Sequence, residues 1–373
     1  MSTELYLLIL AFSLGVFTAV VTIPPIVRVA RDKSLFDSTG NRKVHHGSVP
    51  RLGGMAIFLG FLLSTIVTTL NYEFQSLRCI IVSVVLLFFI GLMDDVISVP
   101  AAKKFPVQFV SSLIVILMGD ICINNFHGLF GLYSIPPVAG CLVTLLLMMA
   151  MINAFNLIDG VDGLASSLGI LASLFFGTWF YFSDIHDYAI MAFALAGSLG
   201  GFFLFNVFGN RNKLFMGDNG SLMMGLLLSV LAIQFNEFSA DGFIRVPAHS
   251  APPVSFAVVA IPLVDTLRVM VIRILHRCSP FLADRNHIHH RLLLVFPKHL
   301  TVTLVILSGS IVIILLALLF SSLAINIALQ FLLVFITTSL LFLVPSMLLM
   351  IKRIRKYHLS EQYRLLKRYI GLL

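Results

Sequence analysis

The chain has 373 residues, of which 59% are hydrophobic and only 11% charged, and its mean hydropathy is +1.02. A water-exposed surface needs roughly 25% charged residues, so a soluble enzyme with a large core is excluded. The formal net charge of +8 leaves nucleic-acid binding as a rival reading until the basic residues are placed.

A bilayer-spanning helix needs ~20 apolar residues. Eleven segments approach that length: Leu5–Val27, Gly53–Leu70, Cys79–Leu92, Phe105–Cys122, Val138–Ile152, Leu164–Phe182, Tyr188–Phe208, Ser221–Phe235, Pro253–Val271, Leu300–Leu319 and Ile325–Met350. The expected fold is therefore an all-α polytopic membrane protein of about eleven transmembrane helices. No Lys or Arg precedes the first segment and no small-residue cleavage site follows it, so it is expected to be a retained span and not a signal peptide. With the N-terminus outside and the spans alternating, every Lys and Arg except Arg78 and Arg245 falls on one side. The positive-inside rule makes that side cytoplasmic and places the C-terminus there. Topology thus accounts for the basic excess, and no nucleic acid is expected as a partner.

No repeat or linker divides the chain. Residues 1–351 read as a single integral membrane catalytic domain with cytoplasmic active-site loops, and 352–373 as a basic cytoplasmic tail. The tail alternates Lys and Arg with Tyr363, Leu365, Leu366, Tyr369 and Ile370. That pattern suits an interfacial helix on anionic lipid and equally a solvated stop-transfer flank. The four cysteines (Cys79, Cys122, Cys141, Cys278) show neither metal-binding nor pairing spacing.

The unusual polar residues cluster in the loops on the basic side. "NRKVHHGSVPRLGG" (Asn41–Gly54) interleaves Arg42, Lys43, His45, His46 and Arg51, donors suited to phosphate. "GLMDD" closes the third span with Asp94 and Asp95. Adjacent helical residues point ~100° apart, so one carboxylate can face a cation or phosphate while the other bonds locally. Lys103 and Lys104 alone read as topological charge.

"NAFNLIDGVDG" (Asn153–Gly163) spaces Asn153 from Asn156, and Asp159 from Asp162, by three residues, which puts each pair on one helix face. Amide carbonyls and carboxylates suit Mg2+ or the hydroxyls of a sugar or ribose. "NVFGNRNKLFMGDNGS" (Asn206–Ser221) sets Asp218 between glycines just before a span, where helix N–H groups can meet phosphate. Phe215 there can stack on a base or pack against lipid. "DRNHIHHRL" (Asp284–Leu292) carries Arg285, His287, His289, His290 and Arg291. Its spacing is unusual for zinc and reads better as a phosphate or pyrophosphate clamp.

Acids for one Mg2+, bases for a pyrophosphate and Asn/Asp for ribose or sugar imply an enzyme. It would bring a nucleotide-linked donor to a lipid-borne acceptor. A secondary transporter also carries intramembrane acids, but these acids gather on one face. An intramembrane aspartyl protease wants a GxGD turn, and "FMGD" lacks the first glycine.

The five motifs, in this order and over about Leu35–Leu292, resemble the polyprenyl-phosphate N-acetylhexosamine-1-phosphate transferases (glycosyltransferase family 4). "RKVHHGSVPRLGG" and "HIHH" are most similar to the branch using UDP-N-acetylglucosamine and undecaprenyl phosphate. The resemblance implies a multi-pass protein of the bacterial cytoplasmic (inner) membrane, with its active site on the cytoplasmic face and with homodimers admitted. The implied reaction yields undecaprenyl-diphosphate-N-acetylglucosamine and UMP, the first membrane step of O-antigen, common antigen or teichoic-acid linkage synthesis. Another UDP-N-acetylhexosamine is the alternative donor.

By the same resemblance, Asp94 and Asp95 are the catalytic acidic pair, and Asp218 and Asn156 hold Mg2+, replaceable by Mn2+. Lys104 contacts phosphate. Asp159, Asp162 and Asn206 contact the nucleotide sugar, and Phe215 faces uracil; Asn153 joins the substrate-binding residues from its spacing alone. Arg285, His287, His289 and His290 form the pyrophosphate-side loop, while Arg42, Lys43 and His45 are assigned to substrate phosphate by their residue chemistry alone.

Overall fold

The computed structural model describes residues 3–33, 49–70, 72–240, 250–279 and 286–352. The tail beyond Lys352 and the site candidates Arg42, Lys43, His45 and Arg285 lie outside the described residues. The elements in order are α1 (Thr3–Asp32), α2 (Gly53–Thr68), α3 (Leu77–Ile97), α4 (Ala101–Leu117), β1 (Asn125–Leu129), β2 (Leu132–Ser134) and α5 (Pro137–Ile158). There follow α6 (Leu164–Phe182), α7 (His186–Phe208), α8 (Asp218–Ala240), α9 (Ala251–Leu275), α10 (Ile288–Leu293), α11 (His299–Ser322) and α12 (Ile327–Leu341).

Each of the eleven apolar segments forms a helix. Among the described residues, nine helices are long and apolar enough to cross a membrane, the last running from Ile327 to Lys352. Two of the eleven, α2 and α4, fall below that length, with 16 and 17 residues. At 1.5 Å per residue these rise about 25 Å, short of the ~30 Å hydrocarbon core. The polar site described below sits at one end of both helices. The all-α expectation is amended by one antiparallel hairpin, β1 with β2, in the register Asn125↔Ser134 and Leu129↔Leu132.

Helix α8 is apolar all round from Leu222 to Phe235 and buried along its length, as a helix without a polar face must be. It is enclosed by α2, α3, α5, α6 and α9. Helix α1 instead buries one narrow stripe, Leu8, Ala11, Gly15, Ala19, Ile23, Val27 and Ala30, against α7 and α2. Small residues let these backbones approach: a Cβ on Gly15 would lie 2.8 Å from the Ala194 carbonyl. Close van der Waals contact of this kind drives helix association where lipid supplies no hydrophobic contrast. Phe17, Leu70, Leu146 and Leu315 remain on the outer surface, where lipid can cover them.

Candidate active site

A polar cavity of about 350 Å3 opens where α3, α5 and α8 converge. It is lined by Arg51, Asp95, Asn156, Asp159, Asp162, Asn206, Phe215, Asp218 and His299, among others. Three widely separated segments are tied together to make it. Pro50 accepts a hydrogen bond from Phe215 N (2.9 Å), Gly53 N donates to Phe215 O (2.9 Å) and Gly54 N to Met216 O (2.8 Å). The "PRLGG" stretch thereby lies alongside "FMGD". Gly217 follows at φ +76°, a conformation only glycine adopts readily. A Cβ there would also meet the Asp95 carboxylate at 2.5 Å. Gly91 allows α3 to reach the start of α8, since its Cβ would lie 2.5 Å from Asn219 Cα.

The structure divides the acidic pair. Asp95 accepts Asp218 N (2.9 Å) and Asn219 N (3.0 Å), capping the N-terminus of α8. Asp94 Oδ1 accepts Val99 N at 2.6 Å, while its Oδ2 lies 3.2 Å from Lys104 Nζ. The same ammonium sits 2.7 Å from Asp218 Oδ2. Lys104 thus bridges Asp94 and Asp218, two carboxylates that would otherwise repel.

Asn156 donates to Ser221 Oγ at 2.9 Å and faces the Asp218 carboxylate. These oxygens fit a hard cation that keeps most of its shell for phosphate and water, as Mg2+ does. The Lys104 ammonium already marks the place as one that holds positive charge. Among the described residues no group of three or more His, Cys, Asp or Glu forms a closed metal cage.

Asp159 caps the end of α5 and lines the cavity. Burial, then the Asp218, Asp95 and Asp162 carboxylates, hold its carboxyl well above the usual range. Asp162 Oδ2 is met by Lys213 Nζ at 2.6 Å and His299 Nδ1 at 3.1 Å. Asn206 lines the cavity but commits both ends of its amide to backbone, accepting Gly163 N (2.6 Å) and donating to Leu214 O (2.9 Å). Its position holds two site loops together. Phe215 is 37% exposed, leaving a ring face open at the cavity wall.

Other candidates lie elsewhere. Asn153 pairs with Gln108 (2.8 Å) and lines an apolar cleft of about 390 Å3 between α4, α5, α9 and α12, with Phe105, Ala150, Leu263, Leu267 and Phe335. His287 and His289 are buried beside the cavity and do not line it. His287 Nδ1 pairs with Asp265 Oδ2 at 2.9 Å, and the same carboxylate accepts Ile288 N at 3.1 Å. Arg268 grips Asp265 at 2.8 Å and the Asn286 carbonyl at 2.5 Å. This clamp fixes the start of α10. His289 packs on Gly160, where any side chain would strike its ring. Burial, then the neighbouring His290, lowers its pKa to about 3, so it is neutral at physiological pH. The His290 ring lies tilted against His289, 4.2 Å between ring centres.

Sequence reasoning did not single out Lys213, His299 or Asp265 as site residues. Lys213 was counted only as topological charge, and His299 lies beyond the last motif. Asp265 is a lone acid inside an apolar run, itself a signal, because ionisable groups at that depth are costly unless paired.

A sequence profile of glycosyl transferase family 4 matches residues 77–236, from the start of α3 into α8. The undecaprenyl-phosphate alpha-N-acetylglucosaminyl 1-phosphate transferase of Yersinia pestis is 30% identical over 294 residues, covering 78% of this chain and 76% of that protein. The decaprenyl-phosphate N-acetylglucosaminephosphotransferase of Mycolicibacterium smegmatis is 32% identical over 291 residues, covering 71% and 70%. The enzyme of Escherichia coli K12 with the same name as that of Yersinia is 28% identical over 267 residues, 70% of each chain. With its polytopic helical fold, the chain belongs to glycosyl transferase family 4 and is a membrane phosphoglycosyltransferase of the branch these relatives represent.

Proposed function

We propose that the protein transfers N-acetylglucosamine 1-phosphate from UDP-N-acetylglucosamine to undecaprenyl phosphate, releasing UMP, on the cytoplasmic face of a bacterial inner membrane. The product would open the assembly of a cell-envelope polysaccharide. The observation that carries this reading is Lys104, which joins the acid-lined polar cavity to the apolar cleft. Its ammonium bridges Asp94 and Asp218, and the next residue, Phe105, lines the cleft. A nucleotide diphosphate suits one side of that junction and a prenyl chain the other. The names of the relatives point the same way, and family membership sets the transporter and protease readings aside.

Phosphoryl transfer asks a protein chiefly for positioning and charge neutralisation. Phe215 offers a flat apolar face to uracil, and Arg51 and Lys104 neutralise phosphate oxygens. Asp218 and Asn156 would hold Mg2+, which supplies Lewis-acid neutralisation of the donor pyrophosphate when bound. The acceptor is a phosphate monoester with a second pKa of ~6, so it is largely ionised at neutral pH and needs little help from a base. Its oxygen attacks the sugar-bearing β-phosphorus, the P–O bond to UMP breaks, and UMP leaves with the bonding pair. Asp94, held through Val99 and Lys104, orients the attacking phosphate through that lysine. No covalent aspartyl intermediate is required.

The test is purified protein with labelled UDP-N-acetylglucosamine, undecaprenyl phosphate and Mg2+, with other UDP-N-acetylhexosamines as competitors. Labelled lipid with stoichiometric UMP supports the reading. Preferential labelling from another UDP-sugar would change the donor and keep the reaction class.

A further inference from the structure

The end of the bundle remote from the active site carries chemistry that the transfer reaction does not use. Lys104 stands at the start of α4 and Asn156 near the end of α5, so the other ends of these helices lie about 25–30 Å away at 1.5 Å per residue. There the chain leaves α4, passes Cys122 and the β1–β2 hairpin, and begins α5, whose first turns carry Cys141. The two sulfurs are 3.6 Å apart. Cys122 Sγ also receives Thr144 Oγ1 at 3.8 Å, and Ile123 N donates to that hydroxyl at 2.8 Å. Residues on three sides thus hold Cys122 facing its neighbour.

A second observation concerns access. Cys122 lines an open polar cavity of about 460 Å3, together with Glu73, Asp120, Asp187 and Glu237. Cys141 is only half-buried. A small hydrophilic reagent can therefore reach the pair, unlike most cysteines within a helical bundle, which are packed as small hydrophobes.

We propose that Cys122 and Cys141 form a redox-active dithiol that closes to a disulfide, stapling the hairpin segment to the start of α5. The oxidant is a disulfide of the thiol-exchange class. Cys141, the more accessible thiol, attacks one sulfur of the donor as its thiolate and expels the first donor thiolate. Cys122 then loses its proton and attacks the Cys141 sulfur of the mixed disulfide, expelling the second. Two protein thiols and one donor disulfide become one protein disulfide and two donor thiols, so protons and electrons balance. Burial pushes the Cys122 thiol up to about 11, which makes closure the slower step. The closed ring spans the hairpin, whose other ties include Asn124 to Glu237 (3.0 Å) and His127 to Asn236 (2.9 Å).

Persistence of the bond rests on the proposed topology, which turns this end away from the reducing cytoplasm. The test uses the full chain in sealed membrane vesicles, reduced, washed and then exposed to oxidised glutathione from one side at a time. Acid quench, alkylation under denaturing conditions and peptide mass spectrometry follow. The expected product is a peptide linking Cys122 to Cys141, lighter by two hydrogens than the dithiol, with Cys79 and Cys278 alkylated. Alkylation of both Cys122 and Cys141 after exposure from either side would overturn the proposal. Closure only from the side that admits UDP-sugar would support the dithiol and overturn the topology. A Cys141→Ser variant should retain transferase activity and lose the oxidant-dependent rise in thermal midpoint seen in the wild type.

Discussion

Lys104 is the residue on which the polar site turns. Its ammonium is within 3.2 Å of Asp94 and 2.7 Å of Asp218, so replacing it leaves two carboxylates facing each other without a counter-charge. Lys104→Met is expected to lower kcat by about 10²–10³, the usual cost of removing one preorganised electrostatic partner. Steady-state UMP release checks it, with Lys104→Arg retaining more activity than the methionine variant. Asp265 acts at one remove, through His287 and Ile288. Asp265→Asn keeps the volume but weakens the clamp on α10, and a fall in kcat/KM of about 10–100-fold is expected by analogy with outer-shell partners of active groups. Kinetics resolved into kcat and donor KM measure this, and a Glu at the same position should rescue less than wild type but more than Asn. His289 gives a pH signature. Its folded pKa of about 3 lies below the unfolded value of ~6.5, so between those values the unfolded chain binds the proton more readily. Stability therefore falls as pH drops below about 6.5, by up to about 1.4 kcal/mol per pH unit. Because the raised Asp159 carboxyl acts in the opposite sense, the readout is the difference between proteins: the wild-type thermal midpoint in detergent should lose more between pH 7 and pH 4.5 than that of His289→Gln.

At the level of elements, the site depends on how closely α3 and the 215–217 segment approach the start of α8. Gly217→Ala places a side chain at φ +76° and into the Asp95 carboxylate. The strain of a non-glycine residue there costs about 1–2 kcal/mol before the collision. A lower thermal midpoint and loss of activity together are expected, read by unfolding in detergent and by UMP release. Much of this was legible beforehand. All eleven apolar segments became helices because an apolar run of that length has no other stable arrangement in lipid. The division of labour between Asp94 and Asp95 follows from the ~100° between adjacent helical residues: Asp94 bonds locally, to Val99 N, while Asp95 turns away to cap the distant start of α8. What spacing could not show was pairing in three dimensions. Asn206 sits in a site motif, yet its amide is consumed by Gly163 and Leu214. Asn153 shares a helix face with Asn156 but turns to Gln108 and the apolar cleft. Lys104 read as topological charge because its partners lie 10 and 114 residues away. Cys122 and Cys141 showed no recognisable spacing because a hairpin, not a sequence rule, brings them together.

Across the whole molecule, the polar cavity and the apolar cleft adjoin along α5, where Asn156 lines the first and Asn153 the second. That arrangement lets a water-soluble donor and a lipid-borne acceptor meet without either leaving its own phase. Filling the cleft should separate the two substrates. Ala150→Trp is expected to raise KM for the polyprenyl phosphate several-fold while leaving donor affinity unchanged, as measured by titrating each substrate against saturating amounts of the other. The most direct measurement counts both products of one reaction. Wild-type protein with UDP-N-acetylglucosamine, undecaprenyl phosphate and Mg2+ should give UMP and labelled diphosphate-linked lipid in equal amounts, and Asp218→Ala should give neither. Near-normal product formation by Asp218→Ala, or release of UMP without labelled lipid by the wild type, would contradict the account.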